Sequence, residues 1–194
     1  MTTVVRAAAR TLRRQATVLG GSVTAVWAGF GAQVVTGNAI AQYGIRPRTV
    51  DGLWGILFAP FLHGSPQHLI ANTVPLLILG WLVMLRDGRH FVPVTVFSAF
   101  GAGIFAWTLG APSSVHIGAS GVVFGYLGFL MLAGWYQRSL GAIALSVLVT
   151  LLWGSVVLGV LPGQPGISWQ AHFGGFLGGI MAARALAKRS RALT

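Results

Sequence analysis

Long apolar stretches broken by small clusters of arginine dominate the chain. No charged residue falls between Gln15 and Ile45, and the segment 16–36 is predominantly apolar. A helix needs ~20 such residues to cross the hydrocarbon core of a bilayer. The segment 68–85 is a second candidate, closed by Arg86. Phe91 to Gln137 contains no Asp, Glu, Lys or Arg and is long enough for two crossings. It breaks at Ala111-Pro112-Ser113-Ser114, where Pro and Ser disfavour helix. Ser139 to Ala183 is likewise uncharged and breaks at Leu161-Pro162-Gly163-Gln164-Pro165-Gly166. The pattern predicts six helices, over 16–36, 68–85, 91–110, 119–136, 140–161 and 168–187. The connection 37–67 is long, and loops beyond ~12–15 residues tend to be functional. Its Leu53, Trp54, Ile56, Leu57, Phe58 and Phe61 suit a segment lying in the outer membrane interface. An ordinary interfacial connection fits them equally.

Charge then orients the helices. Eleven of the thirteen basic residues fall on one side of a six-span chain: Arg6, Arg10, Arg13, Arg14, Arg86, Arg89, Arg138, Arg184, Lys188, Arg189 and Arg191. Arg46 and Arg48 fall on the other. By the positive-inside rule both termini are expected in the cytoplasm. No compact apolar region with a cleavage site precedes the first span, so no removable signal peptide is expected.

Composition agrees with a membrane solvent and narrows the chemistry. The chain has 194 residues, of which 55% are hydrophobic and 8% charged. Soluble domains carry about 25% charged residues. The net charge of +11 belongs to topology and to anionic lipid rather than nucleic acid, since no polar domain exists to bind it. Cysteine is absent, which excludes disulfides, thiolate metal sites and thiol nucleophiles. The two acids are Asp51 and Asp87. The absence of Glu excludes an HExxH metalloprotease, and so few acids argue against paired-carboxylate catalysis. No metal or cofactor is expected.

Polar residues inside spans are costly in lipid and point to function. His68 and Asn72 open the second predicted span, Ser120 the fourth and His172 the sixth. All three spans start on the same side, so the four residues share one depth. Gly121 and Gly125, Gly174 and Gly178, and Gly175 and Gly179 are spaced four apart, which lets helix backbones approach. Close approach of the fourth and sixth helices brings Ser120 within reach of His172, the minimum for nucleophilic catalysis. No acid is near enough in sequence to complete a triad. His68 and Asn72 share a helix face and can donate hydrogen bonds to an oxyanion, as can the Ser120 amide at a helix N-terminus. Taken singly, each residue has a plain structural reading, such as a serine bonded to its own helix.

Three motifs on three spans resemble the rhomboid intramembrane serine proteases. They are His63-x4-His68-x3-Asn72, Gly118-Ala119-Ser120-Gly121, and Ala171-His172-x2-Gly175-x3-Gly179. The resemblance runs over 16–187. It implies an all-α, six-transmembrane-helix bundle, here a single domain over 1–194, of the minimal bacterial form. It implies Ser120 as nucleophile and His172 as general base. It assigns His68 and Asn72 to the oxyanion hole, with Gly118 lining the site. Phe124 stands where relatives carry an aromatic, often Tyr, that packs on the catalytic histidine. His63 matches a position that organises the loop. The Trp-Arg pair of the family's first loop is missing; Arg46-Pro47-Arg48 and Trp54 stand there instead. His116 reads as a loop residue. Together with Ser113, Ser114, Trp169 and Gln170 it is expected to edge a water-filled cavity, and His90 has no assigned role. The implied partners are transmembrane protein substrates and the lipid bilayer, and the implied location is a bacterial cytoplasmic membrane. Two other functions stand beside this one. They are a catalytically silent capturer of membrane segments and a small transporter, the latter lacking the inverted repeats or charged midplane expected of it.

Overall fold

A computed structural model describes residues 3–164 and 166–192, the side chains of 189–192 excepted. Pro165 and the side chains of Arg189 and Arg191, used above for a turn and for the charge balance, lie outside the described residues. Seven α-helices occur among the described residues: α1 (Thr3–Val35), α2 (Gly55–Phe58), α3 (Pro66–Arg86), α4 (Phe91–Leu109), α5 (Ser120–Gln137), α6 (Leu140–Trp153) and α7 (Trp169–Ala192). Six are long and α2 is a single turn within the 37–67 connection. This is the all-helical membrane bundle expected from the hydropathy pattern.

Three helix boundaries differ from the sequence expectation, and one of them is the end of α7, which runs to Ala192 rather than 187. α1 starts at Thr3 rather than 16. Its first turns are rich in Ala and Arg, which are strong helix formers, so polarity ends the apolar span without ending the helix. At ~1.5 Å per residue the helix reaches ~50 Å, well beyond a ~30 Å bilayer core. α6 stops at Trp153 instead of 161 and continues as a 3-10 helix, Gly154–Val160. Gly and β-branched Val are poor α-helix formers and make up most of that stretch. The other ends follow local chemistry. Ser65 caps α3 by accepting from the His68 N–H, with Pro66 at the first helical position. Ser139 caps α6 by accepting from the Ala142 N–H.

Among the described residues, four segments are long and apolar enough to cross a membrane by length and composition: Thr3–Val35, Pro66–Arg86, Gly88–Leu109 and Leu140–Val160. α5 is the central helix. Most of its residues are buried, from Gly121 through Leu130, against α3, α4, α6 and α7. A helix screened from lipid can carry the glycines and the polar Tyr126 that a lipid-facing span avoids. The lipid-facing character lies outside it, at Trp81, Val92, Phe100, Leu140 and Leu151, which are all exposed.

The tightest packing joins α7 to α5 and to α4. A Cβ placed on Gly175 would strike the Gly121 carbonyl, and one on Gly179 the Gly125 carbonyl. Gly174 and Gly178 face the other way, where a Cβ would strike the carbonyls of Gly101 and Phe97 on α4. The two glycine pairs of α7 therefore serve two neighbours, and Gly101 is the α4 counterpart.

Candidate active site

The starts of α3, α5 and α7 meet at one end of the bundle. Close α5–α7 packing sets Ser120 Oγ 2.8 Å from His172 Nε2. His172 Nδ1 lies 3.0 Å from the Gly159 carbonyl in the 3-10 continuation of α6. A carbonyl only accepts, so Nδ1 carries the ring proton. Nε2 is then the acceptor and Ser120 Oγ–H the donor. Phe124, one turn along α5, stacks on the imidazole with ring centroids 4.0 Å apart and planes 14° apart. A backbone carbonyl on one edge, an aromatic face and the serine hydroxyl hold the ring in one tautomer and orientation. His172 is 8% exposed.

The side of the site facing His68 and Asn72 is built on Gly118. This residue has φ +118°, a conformation that favours glycine. A Cβ there would lie 2.8 Å from His68 Nε2 and 3.4 Å from Asn72 Nδ2. Both side chains therefore lie directly over the chain that leads into Ser120. The Gly64 N–H donates to His68 Nδ1 at 3.4 Å, which leaves the Nε2 hydrogen pointing into the site. Asn72 Nδ2 is buried without a hydrogen-bond partner. An unmet buried donor costs roughly 1–3 kcal/mol, and Asn72 lines the cavity at Ser120, where a bound group can accept from it. The Ser120 N–H adds a third donor, because the first amides of a helix have no intrahelical acceptor.

Gln33 and His63 brace this arrangement from behind Ala119. Gln33 of α1 clamps the His63 backbone, donating to its carbonyl at 2.7 Å and accepting from its N–H at 3.1 Å. His63 Nε2 accepts from the Ala119 N–H at 3.4 Å, one residue before Ser120. Burial, and secondarily the charge of His68, pushes the His63 imidazole down to about 4. A neutral ring is what the Ala119 contact needs.

Above Ser120 opens a cavity of about 580 Å³. It is lined by Gly64, Ser65, His68, Asn72, Ser114, Val115, His116, Ile117, Ser120, Gly166, Ile167, Ser168 and His172. Ser114 and His116 edge it as expected. Ser113, Trp169 and Gln170 are not part of its wall, and the Gln170 side chain instead donates to the Leu109 carbonyl at 3.4 Å. No group of three or more His, Cys, Asp or Glu that could hold a metal ion occurs among the described residues. The pairing of a buried histidine acceptor with a serine hydroxyl, beside convergent donors and an open polar cavity, is the arrangement for acyl transfer.

The model of the Rhomboid domain family matches residues 50–189. The chain belongs to the rhomboid family. Among its relatives are uncharacterised proteins of Mycobacterium bovis and Mycobacterium leprae. Both are 40% identical over 170 residues, spanning 82% of this chain, with 71% of the first relative and 67% of the second covered. RHOMBOID-like protein 4 of Arabidopsis thaliana is 33% identical over 139 residues, 68% of this chain and 33% of that protein.

All six site residues named from this rhomboid's sequence, Ser120, His172, His68, Asn72, Gly118 and Phe124, come together in the structure. Three contributors carry no sequence signal of their own. Gly159 acts through its carbonyl, which any residue has, and its lack of a side chain matters because a Cβ would crowd Phe124 at 2.7 Å. Gln33 sits in an apolar helix far from every motif. The sequence marks Ser168 only as the first residue of the last predicted helix, which the structure starts at Trp169. The 37–67 connection docks by backbone contacts, through an antiparallel bridge between Ile45 and His116. The Arg48 N–H donates to the Trp107 carbonyl at 3.0 Å, and its guanidinium to the Thr108 carbonyl at 2.9 Å. Trp54, Leu57 and Phe58 remain exposed on that connection.

Proposed function

We propose that this protein is an intramembrane serine endopeptidase that cleaves transmembrane segments of other membrane proteins near the outer face of the membrane. The observation that carries this reading is the 2.8 Å contact from Ser120 Oγ to His172 Nε2, with the ring proton held on Nδ1 by Gly159. Family membership supports the same reading. The basic residues crowd one side, which supports cytoplasmic termini, a site opening outward and residence in a bacterial cytoplasmic membrane.

In this mechanism a substrate segment enters from the lipid and unwinds locally at its outer end. Ser120 Oγ attacks the scissile carbonyl carbon as His172 Nε2 takes the hydroxyl proton. The carbonyl oxygen becomes an oxyanion and receives hydrogen bonds from His68 Nε2–H, Asn72 Nδ2–H and the Ser120 N–H. Collapse breaks the C–N bond, and the imidazolium returns its proton to the leaving amine. A water from the cavity then attacks the acyl-enzyme, with His172 again taking the proton. The Gly159 carbonyl holds the developing imidazolium, a task a carboxylate performs in a triad.

The test is cleavage of a model transmembrane substrate in detergent. Ser120→Ala and His172→Ala are expected to abolish turnover. Asn72→Ala is expected to lower kcat by ~10²–10³-fold, the usual scale for one oxyanion donor. A fluorophosphonate is expected to label wild type at Ser120. Undiminished cleavage by either alanine variant of the Ser–His pair would overturn the assignment. A folded wild type that neither cleaves nor labels would favour a silent capturer of membrane segments.

A further inference from the structure

His116 lies outside the Ser–His pair and outside the oxygen-stabilising donors, yet its ring makes a complete, directional set of hydrogen bonds. Ser114 Oγ–H donates to the Ala111 carbonyl at 2.6 Å, so its single hydrogen is already used. It therefore accepts from His116 Nε2, 2.9 Å away, and Nε2 carries the ring proton. His116 Nδ1 is then an acceptor, and Ser168 Oγ–H donates to it at 2.6 Å. Ser168 Oγ in turn accepts from the Ala171 N–H at 3.3 Å, and the Ser168 carbonyl accepts from the His172 N–H at 3.0 Å. One serine thus caps the first turn of α7 with its side chain and its backbone, and His116 orients its hydroxyl. The ring itself has little freedom. A Cβ on Gly110 would strike Nε2, and the His116 backbone is bridged to Ile45 in both directions at 2.9 Å.

We propose that His116 is a positioning residue that ties the 110–119 loop to the first turn of α7 through Ser168 and so sets His172 in place beside Ser120. The inference rests on the reading of Ser120 and His172 as the catalytic pair. The physical need is plain. His172 has no carboxylate to orient it, its Nδ1 is held by one carbonyl, and α7 follows a turn-rich connection with glycines at φ +105° and +74°. The helix start is fixed from the loop side by the Ala171–Ser168–His116–Ser114 chain, which holds only while each hydrogen keeps its direction.

The direction gives a discriminating set of variants in the full-length protein. In His116→Asn the amide oxygen takes the place of Nδ1 and keeps an acceptor for Ser168. In His116→Gln the amide nitrogen takes the place of Nε2–H and keeps the Ser114 arm only. Small displacements of a catalytic group cost up to ~100-fold. His116→Ala, His116→Gln and Ser168→Ala are expected to lower kcat by ~10–100-fold with little change in KM. The fluorophosphonate labelling rate of Ser120 is expected to fall in parallel. His116→Asn is expected to recover most of the loss. The double variant His116→Ala/Ser168→Ala is expected to be no worse than either single one, because both remove the same link. Unchanged kcat in the alanine and glutamine variants, a loss confined to KM, or rescue by Gln instead of Asn would overturn the proposal while leaving the catalytic pair standing. If His116→Ala fails to fold, the Asn–Gln comparison decides. A folded wild type that neither cleaves nor labels overturns the catalytic reading and this inference with it.

Discussion

His172 shows how a histidine is held as an acceptor when no carboxylate is close. Both acids are engaged locally, Asp51 with Arg46 at 3.5 Å and Asp87 with Arg89 at 2.8 Å. Arg89 holds the Asp87 carboxyl down at about 2. The orienting task falls to Gly159, Phe124 and the α7 cap. His63 is the residue where protonation has a clear sign. Its imidazole is held at about 4 in the fold, against ~6.5 in an unfolded chain. Between those values the unfolded state binds more protons, so stability rises with pH. The contribution is in full force above pH ~6.5 and is lost as pH falls through about 4. Thermal unfolding in detergent, followed by tryptophan fluorescence, is expected to show a midpoint that falls across that window. The slope is expected to flatten in His63→Gln, and a slope identical to wild type would refute it. The motifs made His68, Asn72, Ser120 and His172 visible because polar side chains are rare in apolar spans. Gly159 and Gln33 were invisible, since one contributes a backbone atom and the other a long-range clamp.

Helix packing explains the placement of the glycines. α7 is a two-sided helix, with Gly175 and Gly179 against α5 and Gly174 and Gly178 against α4. The spacing of four was legible in the sequence, but the partner of each pair was not. Residues 174 and 175 are ~100° apart around a helix, so adjacent pairs serve adjacent neighbours. Gly179→Ala places a methyl against the Gly125 carbonyl, a backbone atom that moves only with its helix. The expected cost is about 3 kcal/mol, at the upper end of ordinary overpacking. Gly31→Ala on α1 meets no atom within 4 Å and is expected to be neutral or mildly stabilising, since Ala is the better helix former. Denaturation midpoints of the purified variants check both. Equal midpoints would show that the α5–α7 seam can open at no cost. The same seam carries Ser120 and His172, so activity is expected to fall with stability in Gly179→Ala.

Taken whole, the molecule is a bundle with apolar side chains on its exposed surface as well as in its core. Large apolar side chains such as Phe100 and Leu151 are exposed, the buried central helix is rich in glycine, and Ser120, His172, His68 and Asn72 gather at one end. Lipid is the solvent that makes this arrangement stable. The charge asymmetry predicts which end faces the cytoplasm. The chain has no cysteine, so single-cysteine labelling is clean. Val4 and Val50 are 75% and 81% exposed. A membrane-impermeant maleimide is expected to label Val50→Cys in intact bacterial spheroplasts and Val4→Cys only after lysis. The reverse pattern would invert the topology and place the site on the cytoplasmic side.

Membrane character, the six long helices, the turn positions and the polar residues His68, Asn72, Ser120 and His172 are legible in local composition and spacing, because lipid penalises polar groups wherever they fall in a span; Gly118 and Phe124 come only from the resemblance of the motifs. The 3-10 ending of α6, the Gln33 clamp and the His116–Ser168 link depend on contacts between segments far apart in the chain. Those contacts exist because glycine-lined helices close to backbone distance, and that approach brings a carbonyl of one segment to the imidazole of another.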